Sequence, residues 1–148
     1  MRGLTLAELL IVVGLTAIVG TVGLVNFYGL KRAQELEAAA LRVRGILKDA
    51  QQLSITQEEG KKWGVRFDAN PAGRDHFLLF ASSTAGFEER RRFSLNTILE
   101  LDQGQDLIFS QVSGRLESAS ATKNVIIRFV NDTNTSTTIT VYENGRID

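Results

Sequence analysis

Between Glu8 and Lys31 the chain runs for 22 residues without a charged side chain. As a helix, that run (Leu9-Leu10-Ile11-Val12-Val13 through Val25 and on to Leu30) is long enough to cross a hydrocarbon core about 30 Å thick. Past Lys31 the pattern changes from uniformly apolar to one-sided. Ala33, Leu36, Ala40, Val43, Leu47 and Ala50 recur in alternating steps of three and four, which places them on one face of a helix. Arg32, Glu35, Arg42, Arg44 and Lys48 occupy the other faces. No breaker separates the two patterns. They predict one helix from about Leu4 to about Thr56, roughly 80 Å long at 1.5 Å per residue. The small residues in the stripe point to close approach against a packed surface, and the stripe is too short to favour a coiled-coil seam. Gly14, Gly20, Gly23 and Gly29 interrupt the apolar half. Each weakens an exposed helix by about 1 kcal/mol relative to Ala. In lipid, glycine lets helices approach closely, and it is also common in membrane helices generally.

Beyond Gly60 the period shortens. Trp63-Gly64-Val65-Arg66-Phe67 alternates, Asp68-Ala69-Asn70-Pro71-Ala72-Gly73 is turn-rich, and His76-Phe77-Leu78-Leu79-Phe80 predicts a second strand. Leu107-Ile108-Phe109 is a short apolar strand running to Ser113-Gly114. The clearest strands are Asn124–Val130 and Thr137–Tyr142, joined through the polar turn Asn131-Asp132-Thr133-Asn134-Thr135 as a hairpin. Asn144-Gly145 is a tight-turn pair, after which Arg146-Ile147 adds a short last strand. The fold class expected is α+β: a long N-terminal helix, half membrane-type and half amphipathic, packed on an antiparallel β-sheet domain over residues 57–148.

Composition narrows the chemistry. Lys plus Arg and Asp plus Glu are 17 each, so no global field draws nucleic acid or an anionic surface. Cysteine is absent, which excludes disulfides, thiol catalysis and cysteine metal sites. The one histidine, His76, opens a predicted strand with no second His near it. Asp68, Asn70 and Asp75 line a loop, but their spacing fails the EF-hand calcium template. No phosphate loop, nucleophile elbow or paired-histidine metal motif appears. An enzyme is not expected, and no cofactor is implied.

Glu8 stands at the edge of the uncharged run, where a carboxylate is expensive, so it is a functional candidate by default. The surrounding residues, Gly3-Leu4-Thr5-Leu6-Ala7-Glu8-Leu9-Leu10-Ile11-Val12-Val13, resemble the prepilin signal of type IV pilins and type II secretion pseudopilins. In that family a short basic leader ends in Gly, and a hydrophobic residue, Thr, Leu, any residue and Glu precede a long apolar helix. The resemblance implies a leader over residues 1–3, cleavage by prepilin peptidase between Gly3 and Leu4, and N-methylation of Leu4. It implies a long helix over 4–56 with a transmembrane part at about 9–30. It also implies that Glu8, with Thr5 beside it, serves subunit assembly. A free amine at Leu4 and a carboxylate at Glu8 are both poorly solvated in lipid. Pairing the amine of one subunit with Glu8 of a neighbour relieves both. Many family members carry a proline in the membrane helix. Here the only proline is Pro71, so no kink is expected from one.

The second half is similar to H-type minor pseudopilins at Trp63-Gly64, at Ile108-Phe109 followed by Gly114-Arg115, and at Gly145-Arg146. Many pilins staple a C-terminal loop with a disulfide, whereas this chain must hold that region by packing and hydrogen bonds. The resemblance implies a structural filament subunit. It would sit first in the cytoplasmic (inner) membrane with its N-terminus inside and its globular domain outside, then in a periplasmic or extracellular filament. Its partners would be other pilin-like subunits, prepilin peptidase, the inner-membrane assembly platform and, before assembly, membrane lipid. Charge does not decide the orientation, since Arg2 lies on one side of the run and Lys31 and Arg32 on the other. Two alternatives stay open. One is a DNA-binding minor pilin of a competence system, contacting phosphates through Arg90, Arg91 and Arg92, although Glu88 and Glu89 precede that cluster. The other is an uncleaved single-pass anchor carrying a β domain.

Overall fold

The computed structural model describes residues 5–70, 73–83, 86–118 and 121–148, with the backbone alone for residues 22–28 and 133. The chain divides into two compact units, Met1–Glu35 and Leu36–Asp148. Helix α1 runs Leu6–Ile55, within two residues of the expected bounds, and spans the division. Its first part belongs to the first unit. The second unit holds the helix from Leu36 to Ile55 and, among the described residues, seven strands.

The strands are β1 (Lys62–Asp68), β2 (His76–Ser83), β3 (Gly86–Ser94), β4 (Leu99–Leu101), β5 (Gln105–Phe109), β6 (Thr122–Phe129) and β7 (Asp132–Tyr142). They form two antiparallel sheets. One has the order β3-β2-β1-β5 and the other β4-β6-β7. The architecture is therefore α+β, an N-terminal helix packed on antiparallel sheet as the residue pattern predicts, with the sheet divided in two. All five strands or strand cores expected from alternation are present. β3 and β4 were not expected: β3 has a charged centre, and β4 is only three residues long. The hairpin turn is tighter than the polar stretch suggests. Phe129 pairs with Asp132, and the register then shifts so that Arg128 faces Ser136. Ile147 bridges to Val141, the short terminal pairing expected after Asn144-Gly145.

The core lies where the α1 stripe meets both sheets. Leu36, Ala40, Val43, Leu47 and Ala50 are buried, joined by Ile46, against Val65, Phe67, Phe77, Leu79 and Phe109 of one sheet and Val125, Ile127, Ile139 and Val141 of the other. Ala33 departs from the expectation and is exposed, because the stripe's burial begins at Leu36. One helical step past Ala50 the stripe ends in Ser54, which is fully buried. The Ser54 hydroxyl accepts the Trp63 N–H at 2.8 Å and donates to the carbonyls of Phe109 (3.1 Å) and Trp63 (3.3 Å). A single hydroxyl thus fixes the end of the helix to β1 and β5.

Two further polar groups tie distant segments. The Gln51 amide donates to the carbonyls of Gly114 and Gly145, each at 2.9 Å. Gly145 has φ +87, and a Cβ there would lie 2.3 Å from the Gln51 amide nitrogen and 2.4 Å from the Gly114 oxygen. Glycine is required at this position both by the left-handed backbone and by the close approach. This arrangement holds the C-terminal turn without a disulfide. Asp75, also buried, accepts the Asn70 N–H at 2.7 Å and the Leu101 N–H at 2.6 Å, joining the β1–β2 loop to β4 of the other sheet.

Ser54→Ala leaves the buried Trp63 N–H and Phe109 carbonyl without this partner. An unsatisfied buried group costs about 1–3 kcal/mol. The expected outcome is a fall of that size in unfolding free energy, seen as a lower denaturant midpoint with an unchanged m-value.

Candidate functional site

Thr5 stands just before α1, and Glu8 lies in its first turn. The Glu8 carboxylate oxygen Oε2 accepts both the Thr5 backbone N–H and the Thr5 hydroxyl, each at 2.9 Å, and the Thr5 hydroxyl accepts the Glu8 N–H at 3.3 Å. This is a reciprocal capping box, which satisfies N–H groups that a helix start leaves unpaired. The Thr-x-x-Glu spacing ahead of an apolar run is its sequence signature, so the local partner of Glu8 was legible without a structure. Oε2 carries these bonds, and Oε1 makes none among the described residues. The carboxylate therefore caps its own helix and keeps one oxygen open to another donor. Gly3 and Leu4, the expected cleavage and methylation positions, lie outside the described residues.

From Leu6 to Val19 the helix presents its large apolar side chains outward on every face. Leu6 is 77% exposed, Leu10 62%, Ile18 64% and Val19 71%. Exposure all round a helix marks a surface meant to be covered by something apolar. The two hydroxyls in this part turn inward. Thr16 donates to the carbonyls of Val12 and Val13, both at 2.9 Å, and Thr21 to those of Ala17 (3.2 Å) and Ile18 (2.8 Å). Both hydroxyls are thus satisfied within the helix itself. Gly14, Gly20 and Gly29 have open space where a side chain would stand. Among the described residues no helix is long and apolar enough to cross a membrane. Residues 22–28, in the middle of the uncharged run, fall outside the described side chains.

The arginine triplet lies on β3, and its charges are largely matched. A β-bulge opposite Leu79 and Phe80 makes Arg90 the extra residue. Arg90 turns back to pair with Glu59 and Glu88 and lies 5.8 Å from the Trp63 ring. Lys61 bridges the same two acids at 2.9 and 2.7 Å. Arg92 pairs with Glu89 at 2.6 Å. Arg91 lies 5.6 Å from the Phe93 ring and has no carboxylate partner among the described residues. The three side chains are thus neighbours on one strand, but two of them are already neutralised. The loop acids also find structural partners. Asp68 sits 3.3 Å from the His76 imidazole, and Asp75 fastens the two sheets as described. Among the described residues no group of side chains is arranged to hold a metal ion.

No protein-family model matches the sequence, and no curated protein matches it. At the level of structure, the chain is similar to the type IV minor pilin FimU of Pseudomonas aeruginosa. The likeness has a TM-score of 0.56 at 17% sequence identity and covers 76% of this chain and 90% of that one. The fold is that of a type IV pilin.

The pairs around β3 set an acid limb for stability. The hydrogen bond from Lys61, with the charge of Arg90, holds Glu88 below the usual carboxylate range, and the Arg92 hydrogen bond does the same for Glu89. A carboxylate depressed in the folded state stabilises at pH above its unfolded value, and that contribution is lost as pH falls through the folded value. The Glu88→Gln/Glu89→Gln variant is expected to melt slightly lower than the parent at neutral pH, because exposed pairs contribute little. The two curves should converge as pH falls below the ordinary carboxylate range. Melting temperature measured against pH checks this.

Proposed function

We propose that this chain is a pilin-like structural subunit of a type IV pilus or type II secretion-type filament. In this reading prepilin peptidase cuts between Gly3 and Leu4, and Leu4 is N-methylated. Residues 9–30 hold the subunit in the inner membrane until the assembly platform extracts it. The subunit then joins other pilin-like subunits through the apolar helix, with its β domain outward. The observation that supports this most directly is the outward-facing apolar surface of α1 from Leu6 to Val19. It begins at a carboxylate and continues into a helix that anchors a pilin fold. The free Glu8 Oε1 suits the amine of a neighbour's Leu4. An unpaired ion in a low-dielectric setting costs several kcal/mol, which gives assembly a driving force where lipid or packed helices exclude water.

Two experiments test this. The first is the peptide mass of the protein recovered from membranes with and without prepilin peptidase. The expected product begins at Leu4 and carries one added methyl, whereas an intact Met1 in the presence of active peptidase overturns the reading. The second separates the two roles of Glu8. Glu8→Gln keeps a side chain able to complete the capping box but removes the charge, and Glu8→Ala removes both. If the intersubunit ion pair matters, both variants lose filament incorporation by tenfold or more. If Glu8 serves only as a cap, Glu8→Gln assembles normally.

A further inference from the structure

β3 is an outer strand of the four-stranded sheet, paired with β2 along one side and with no strand along the other among the described residues. It is nine residues long and exposed from Gly86 through Arg92. A long open edge is a template for another strand, and charged residues and bulges are the usual means of discouraging arbitrary partners. Here the charges are ordered. Two acids, Glu88 and Glu89, precede three bases, Arg90, Arg91 and Arg92. Laid against a strand of the same sequence running the opposite way, the acidic half of each copy faces the basic half of the other.

The register sharpens the match. Glu88 is opposite Ala81 and Arg91 is opposite Leu79. Positions 79 and 81 lie on one face of β2, so Glu88 and Arg91 share a face of β3, with Arg90 accommodated as the extra residue of the bulge. An antiparallel second copy that preserves the faces of the sheet sets Glu88 against the partner's arginine and Arg91 against the partner's glutamate. Two-fold symmetry makes this contact twice. Among the described residues, Arg91 is the one arginine of the three without a carboxylate of its own. Glu88 bonds Lys61 and Arg90 through Oε2, and a carboxylate has acceptor sites to spare.

We propose that the β3 edge is a self-docking surface, on which a second copy of this chain pairs antiparallel and joins two four-stranded sheets into one. A nucleic acid fits the edge poorly, because its phosphates would meet Glu88 and Glu89 beside the arginines. A foreign strand fits only if it carries the same reversed order of charge. The proposal does not depend on processing at Leu4 or on filament assembly.

Two charge reversals on the full-length chain in detergent micelles test it. Glu88→Arg makes the pair of positions basic in every copy, and Arg91→Glu makes it acidic in every copy. Sedimentation equilibrium is expected to show self-association of the parent. Each variant alone should be weakened by at least about tenfold, since like charges set face to face are strongly disfavoured. An equimolar mixture of the two variants should recover association, because the heterodimer restores both opposite-charge contacts. Far-UV circular dichroism confirms that each variant is folded. A parent that stays monomeric overturns the proposal. So does a dimer insensitive to both reversals, which would place association in the apolar helix, and so does a mixture that fails to recover. The chain has no native cysteine. Disulfide trapping of a Glu88→Cys copy with a differently tagged Arg91→Cys copy, at a yield well above that of a Glu88→Cys copy with a Glu143→Cys copy, locates the contact.

Discussion

One stripe of α1, from Leu36 to Ser54, is the surface on which both sheets close. Most helical stability in proteins comes from packing of an amphipathic face, and neither a three-stranded nor a four-stranded sheet buries a face by itself. Each therefore depends on the stripe. Val43, Leu47 and Ala50 are fully buried in it, and Ala40 nearly so. All four belong to one core cluster with buried side chains of both sheets. Removing volume at Leu47 would be felt by both sheets, because interiors are packed with few voids.

Around that apolar contact a few polar groups set the geometry. Ser54 chooses where β1 and β5 meet the helix end, Gln51 fixes the turns at Gly114 and Gly145, and Asp75 ties the two sheets. Each ties segments apart in the sequence in a chain without cysteine, and together they do what a covalent staple does in small disulfide-bonded domains. Hydrogen bonds of this kind contribute modestly when made and cost more when broken, because the buried partner is left unsatisfied. Specificity of the fold therefore rests on them more than its bulk stability does.

Charge in this protein is local. The chain is formally neutral, yet β3 carries five consecutive charged residues, and the first turn of α1 carries a single acid ahead of 22 uncharged residues. In both places the electrostatics are partly satisfied within the subunit, by Lys61, Glu59 and Glu89 in the first and by Thr5 in the second. What stays open among the described residues, one oxygen of Glu8 and the guanidinium of Arg91, is what another molecule could use.

By itself the sequence determined the features set by near neighbours. The uncharged run and the three-four stripe define α1, the alternation at 63–67, 76–80, 124–130 and 137–142 defines four strands, and the Thr5-x-x-Glu8 spacing, read above only as an assembly pair, carries the signature of the helix cap. These are patterns of period 3.6, period 2 or a single turn, and each is written within a few residues. Tertiary structure decided what depends on partners far along the chain. Gln51 and Gly145 are 94 residues apart, and Ser54 and Phe109 are 55 apart. β3 is a strand because β2 offers it an edge, not because its residues alternate. Its outer positions face solvent on both sides and leave no apolar period to read. The partition of seven strands into two sheets followed from the same cause, since which edge meets which is chosen by packing on the α1 stripe and not by any local propensity.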